Sequence, residues 1–150
     1  MTKAMVTGSF DPVTLGHVDV IRRALERYDE VCVGMLVNPE KEYAYPAGER
    51  LVMLKEVLDP LGVEVYYSEG LAVDLAKEVG ASVMVRGVRP GDEVYEAELA
   101  RLNMEIGAVT TEFIEAGKEY REVSSTLVRE RLAQGKDVSG LVPEQIIKRL

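Results

Sequence analysis

Cysteine occurs once, as Cys32, so no disulfide can form within the chain, and its setting in VCVGMLV marks it as a small buried hydrophobe. Histidine also occurs once, as His17, and no grouping of His, Cys, Asp and Glu has the spacing of a structural zinc site. A Ser-His-Asp triad would have to centre on that one histidine, and no G-x-S-x-G elbow accompanies it. Basic residues are in the minority, 18 against 26 acidic, for a net charge of -8. That balance argues against duplex nucleic acid as a partner, because binding there depends on neutralising many phosphates. A small anion in a locally basic pocket remains open. No apolar run approaches the roughly eighteen residues needed to cross a bilayer. The start MTKAMVTGS has neither the basic stretch nor the apolar run of a signal peptide, so a cytoplasmic protein without a membrane partner is expected. Walker loops, the G-x-G-x-x-G spacing, linkers, low-complexity tracts and internal repeats are all missing.

What is present is a regular alternation. The hydrophobic fraction of 47% over 150 residues suffices for one domain, 1–150, with its own core. Short runs rich in Val, Met and aromatic residues predict strands at Ala4–Val6, Val31–Val37, Val63–Tyr67, Ser82–Val85 and Thr111–Ile114. Helical spacing appears at His17–Tyr28, Glu49–Asp59, Leu71–Val79, Glu93–Ile106 and Thr126–Gln134, with a last helix from Glu144. In the first of these Val18, Ile21, Ala24, Leu25 and Tyr28 form one apolar stripe. Strands with apolar residues at successive positions imply a sheet covered on both faces. The expected fold is therefore α/β, a doubly wound, five-stranded parallel sheet with helices on both faces and C-terminal helices. Ligands of such sheets lie beyond the carboxyl ends of the strands.

The loops at those ends carry the chemistry. TGSFDPVTLGH follows the first strand and leads through Gly16 and His17 into a helix N-terminus, whose free N–H groups favour phosphate. Lys41, the pair Arg86 and Arg89, and the pair Lys118 and Arg121 sit on three other loops, so cations converge on one edge of an acidic protein. Ser124, Ser125 and Thr126 open a later helix with Arg129 one turn on, a second set of donors for phosphate oxygens. Singly, each feature has a plainer reading: Ser-Ser-Thr as a helix cap, Arg-Gly-Val-Arg as a solvated turn, His17 as a capping or packing residue. Their shared edge favours the anion site.

G-S-F-D-P with T-x-G-H at Thr14–His17, and S-S-T-x-x-R at Ser124–Arg129, resemble the two signature motifs of the nucleotidylyltransferase superfamily. Within it the chain is similar to the bacterial phosphopantetheine adenylyltransferases. N-P-x-K at Asn38–Lys41, R-G-x-R at Arg86–Arg89, Y-E-x-x-L-A-x-x-N at Tyr95–Asn103 and K-D-V-S-G-L-V-P at Lys136–Pro143 extend the likeness over nearly the whole chain. The resemblance implies a Rossmann-like nucleotidylyltransferase fold and transfer of the adenylyl group of ATP to 4′-phosphopantetheine, giving dephospho-coenzyme A and pyrophosphate. It assigns Ser9, Phe10 and His17 to the nucleotide, with Ser9 also reaching the acceptor phosphate and His17 stabilising the transition state. It assigns Lys41 and Arg86 to the acceptor phosphate and Ala72 to the pantetheine arm. Gly87, Val88, Arg89, Glu96 and the segment Tyr120, Arg121, Glu122, Val123, Ser124, Ser125 and Thr126, with Arg129, fall to ATP. Magnesium carried by the ATP phosphates and a homohexamer are further expectations of the same kind.

The chemistry suits the residues. A phosphate nucleophile is mostly ionised at neutral pH, with a second pKa near ~6, and needs no strong base. Catalysis then rests on positioning and charge stabilisation. The chain departs from the usual pattern at Glu93–Val94, in a loop from Arg89 to Tyr95 that is one residue short, at Arg121–Glu122 before S-S-T, and at Glu40 beside Lys41. Two alternatives stay open: the same transfer to another phosphorylated acceptor, and a weakly catalytic paralogue that binds nucleotide or coenzyme A. The N-P-x-K loop and the D-V-S-x-L-V-P segment argue against the first, and the intact His17, Lys41, Arg86 and Arg129 against the second.

Overall fold

A computed structural model describes residues 2–89, 91–107 and 109–150. The strands are β1 (Lys3–Gly8), β2 (Glu30–Leu36), β3 (Glu64–Ser68), β4 (Val83–Val88) and β5 (Thr110–Glu115). Between and after them run α1 (Leu15–Arg27), α2 (Ala47–Leu58), α3 (Ala72–Val79), α4 (Glu93–Gly107) and α5 (Ser125–Ala133). All strand pairs are parallel and the sheet order is β3-β2-β1-β4-β5. The order reverses between β1 and β4, so the loops leaving those two strands diverge and open a crevice at the sheet's carboxyl edge. The doubly wound parallel sheet expected from the sequence is what forms.

Successive strand residues face opposite layers, and each layer has its own helices to bury them. Ala4, Val6, Val33, Met35, Val83 and Val85 pack with α1, α2 and the C-terminal residues Val138, Val142 and Ile146. Met5, Cys32 and Met84 turn to the other face, under Val73, Leu75 and Ala76 of α3. Cys32 is buried, and loss of water pushes its thiol up to about 11, which leaves it an inert core residue. Each large aliphatic side chain fully buried here, such as Ile21 or Leu54, contributes about 1.5–3 kcal/mol relative to exposure.

Three local expectations are corrected. Arg86, Gly87 and Val88, read as a loop, continue β4 and pair with Phe113, Ile114 and Glu115 of β5. The ladder thereby carries the Arg-Gly-Val-Arg motif on a rigid strand end. The helix expected from Glu144 forms, but as a 3₁₀ helix, Glu144–Arg149, too short for an α-helix to gain much from propagation. In α1, Leu25 is 38% exposed while Val20 is buried. The helix is covered over a wide arc only near its N-terminus, where Val20 approaches Gly87 so closely that a Cβ there would lie 3.1 Å from the valine Cγ2. The C-terminal residues form a strap, since the Leu15 N–H at the start of α1 donates to the Leu141 carbonyl at 2.9 Å.

Candidate active site

The turn after β1 is tied to two other parts of the chain. Phe10 takes a left-handed φ of 49°, and the Asp11–Pro12 peptide is cis. Asp11 is buried and accepts the N–H groups of Ala44 and Tyr45 at 2.8 and 3.0 Å, which fastens the loop after β2 to the turn after β1. The start of α5 grips the same turn: the Ser125 hydroxyl donates to the Pro12 carbonyl at 2.8 Å and Arg129 to the Asp11 carbonyl at 2.7 Å. Asp19 of α1 holds a further loop by accepting from the Gly117 N–H at 2.7 Å. Burial would raise that carboxyl, but the hydrogen bonds from Arg23 and Gly117 hold it below the usual carboxylate range.

At the head of α1, Thr14 and His17 cap each other. The His17 N–H donates to Thr14 Oγ1 at 3.2 Å, and the Thr14 N–H donates to His17 Nδ1 at 3.0 Å. This is the reciprocal geometry of a capping box, with imidazole where a glutamate or glutamine is commonest. A backbone N–H can only donate, so Nδ1 is the unprotonated nitrogen and the neutral ring carries its proton on Nε2. Among the described residues no protein group bonds Nε2. Phe10 packs edge-on against the ring, 4.8 Å between centroids. Burial lowers the imidazole pKa from 6.5 to about 4, so His17 is a neutral donor at physiological pH.

Three cavities surround this edge. The first, about 280 Å³, is lined by His17, Gly87, Val88, Arg89, Tyr120, Arg121, Val123 and the Ser124–Thr126 run. A second, about 260 Å³, is lined by Ser9, Phe10, Lys41 and Arg129, and shares His17, Ser125 and Thr126 with the first. The third, about 200 Å³, is mostly apolar: Leu36, Leu71, Ala72, Met84, Leu102 and Ile106 line it with Arg86 and Asn103. His17 and the α5 N-terminus thus form the wall between a first, mainly apolar chamber and a second, polar one, and an apolar slot lies nearby on the α3–α4 side.

Of the residues singled out from sequence, most meet here; Lys118 is exposed and lines none of the three cavities, and three others differ in arrangement. Lys41 and Arg86 line different cavities. Glu96 lines none of the three; it is buried and accepts from Arg86 Nε at 2.9 Å, an ion pair joining β4 to α4. Glu122 is exposed and stands outside them, whereas its neighbour Arg121 lines the first. Pro90, in the shortened loop, lies outside the described residues. Sequence reasoning missed Asp11, Asp19, Tyr43 and Arg50 as organisers. Arg50 had a signal: it falls on the buried stripe Arg50, Met53, Leu54 and Val57 of α2, where a charge is out of place.

A family model described as cytidylyltransferase-like matches residues 5–131. A phosphopantetheine adenylyltransferase of Cutibacterium acnes is 42% identical over 146 residues, covering 96% of this chain and 93% of that protein. Among solved structures, a Vibrio parahaemolyticus protein assigned as a nicotinate-nucleotide adenylyltransferase superposes with a TM-score of 0.65 at 19% identity, over 99% of this chain and 98% of that one. A lipopolysaccharide core biosynthesis protein from Thermoplasma volcanium GSS1 gives 0.57 at 23% identity, over 79% of this chain and 98% of that one. The two structures share the fold; the sequence matches carry the family. The chain belongs to the cytidylyltransferase-like family and, within it, to the phosphopantetheine adenylyltransferases.

Proposed function

We propose that this enzyme transfers the adenylyl group of ATP to the phosphate of 4′-phosphopantetheine, releasing pyrophosphate and dephospho-coenzyme A. The observation that carries the reading is the shared wall: one neutral Nε2–H and the α5 N-terminus front two adjoining chambers. An adenosine in the first chamber, with its phosphates reaching the second, would bring the α-phosphorus beside His17. An acceptor phosphate oxygen attacks that phosphorus, the bond to pyrophosphate breaks, and no proton needs to be removed from the nucleophile. His17 donates to an equatorial oxygen as charge moves, and its tautomer is set in advance by Thr14. Arg129 and the Ser125 and Thr126 groups bind the leaving phosphates, while Arg89, Arg121 and Tyr120 flank the nucleoside. Lys41 meets the acceptor phosphate from one side and Arg86 from the other, with Ala72 along the pantetheine arm in the apolar slot.

Magnesium fits as an ion carried by the substrate. Among the described residues no three His, Cys, Asp or Glu side chains cluster as a cage. Asp11, on the phosphate side, has its oxygens occupied by Ala44 and Tyr45, so phosphate oxygens would supply most ligands, with Glu42 the nearest free carboxylate lining that chamber. Bound there, the ion would offset charge on the departing pyrophosphate. We place the reaction in the cytoplasm; among the described residues no helix is long and apolar enough to cross a membrane. Assembly into a hexamer is supported by α4, which buries only Glu96 and Gly107 and exposes Val94, Tyr95, Leu102, Met104 and Ile106.

Pyrophosphate release, assayed across a panel of nucleotides and phosphorylated acceptors, should be fastest by a wide margin with ATP and 4′-phosphopantetheine. A preference for CTP or for a mononucleotide acceptor would redirect the assignment, and no turnover with any pair would refute it. His17→Ala should lose ~10²–10³ in turnover, the usual cost of one preorganised donor, and about 1 kcal/mol of stability through the broken cap. His17→Gln, which restores a capping-box acceptor, should regain the melting temperature without the turnover. Parental turnover in the alanine variant would remove His17 from the mechanism. Light scattering should report a mass several times that of one chain, and a monomer at every concentration tested would count against the hexamer.

A further inference from the structure

Arg50 is 1% exposed, and among the described residues it forms no ion pair with a carboxylate. Its guanidinium is instead held by carbonyls, donating from Nε to Tyr45 at 3.0 Å and from Nη1 to Ser9 at 2.9 Å. A further contact is aromatic: Cζ lies 3.8 Å from the centroid of the Tyr43 ring. A planar guanidinium stacked at that distance fixes the ring as firmly as it is itself fixed. The same ring receives a second cation, Lys41, whose Nζ lies 5.3 Å from the centroid. Tyr43 also binds the turn that carries this lysine, because its hydroxyl accepts the Asn38 N–H at 2.9 Å while the Lys41 N–H donates to the Asn38 carbonyl at 3.0 Å.

We propose that Tyr43 is the positioning residue of the acceptor end of the site, holding the Lys41 ammonium at the chamber it shares with Ser9 and His17, with Arg50 as its anchor. Lys41 is otherwise an exposed, flexible side chain on a loop, and an ammonium free to wander would bind an incoming phosphate less well. Tyr43 lines none of the three cavities of the site, so it acts through Lys41 and not on substrate. The chain of contacts runs from the Ser9 carbonyl through Arg50 and Tyr43 to Lys41, which links the turn after β1 to the loop after β2. The inference rests on the proposed contact of Lys41 with the acceptor phosphate.

Steady-state kinetics of Lys41→Ala, Tyr43→Leu, Tyr43→Phe and the double variant Lys41→Ala/Tyr43→Leu test it, with ATP and acceptor varied separately. Tyr43→Leu should raise the acceptor KM roughly three- to thirtyfold, the range of one cation–π contact, and leave the ATP KM unchanged. Tyr43→Phe keeps the ring face and should stay within about threefold of the parent, the loss of one hydroxyl. In the double variant the tyrosine change should add nothing to Lys41→Ala, because its effect passes through the ammonium that is gone. An acceptor KM unchanged in Tyr43→Leu but raised in Lys41→Ala would overturn the positioning role alone. An acceptor KM unchanged in Lys41→Ala would overturn the Lys41 assignment beneath it. Equal rises in both KM values, or additive effects in the double variant, would reduce Tyr43 to a general structural residue.

Discussion

The reciprocal cap between Thr14 and His17 is the interaction on which the site depends. A helix N-terminus has unsatisfied N–H groups and a partial positive charge, and one residue must meet the first of those needs. By giving Nδ1 to that task, the chain fixes the ring's tautomer and frees Nε2–H for a ligand. Partial burial beside Phe10 lowers the imidazole pKa to about 4, so the ring is an uncharged donor at neutral pH. Capping and the proposed donation to phosphate are therefore two ends of one ring, not rival explanations for it.

Around that ring several loops and strand ends bring cations together. Lys41, Arg89, Arg121 and Arg129 line the two chambers that His17 divides, and Arg86 stands at the apolar slot. Some of these charges are held structurally before any substrate arrives. Arg86 is half-buried and paired with buried Glu96, so loss of the arginine would strand a buried carboxylate. Arg50 has only carbonyls and an aromatic face, an arrangement that keeps its positive charge near Ser9. The chambers also carry carboxylates, Asp92 and Glu115 in the first and Asp11 and Glu42 in the second, so an anionic substrate is met by individually placed cations and helix N–H groups and not by a uniform positive field.

The sheet and its order of elements were legible because the apolar runs are short, continuous and separated by helical spacing, a pattern with few alternatives. Boundaries were less so where tertiary pairing overrode local composition: β4 runs on through Arg86, Gly87 and Val88 because β5 offers partners for them. The site's named motifs were legible because glycine, histidine and Ser-Ser-Thr mark turns and helix starts in the sequence itself. Asp11 and Tyr43 were not: the partners of Asp11 lie 33 and 34 residues away, and Tyr43 is fixed by Arg50 of α2; Arg50 showed its burial as a charge on an apolar stripe, but not its partner Ser9, 41 residues away. Glu96 was assigned to nucleotide by its motif, yet its carboxylate lies on Arg86, a pairing between β4 and α4 that spacing alone does not reveal.

A nitrogen-resolved NMR titration of the one imidazole tests the central claim most directly, because a single histidine gives a single ring to follow. The account predicts a neutral Nε2–H tautomer from pH 8 down to pH 5, with protonation only near pH 4. The sign for stability follows: the unfolded ring takes its proton near pH 6.5 and the folded one near 4, so stability from this group is full above 6.5 and is lost as pH falls through that interval. An imidazolium already present at pH 6, or a ring protonated on Nδ1, would contradict the capping box as the device that prepares the donor.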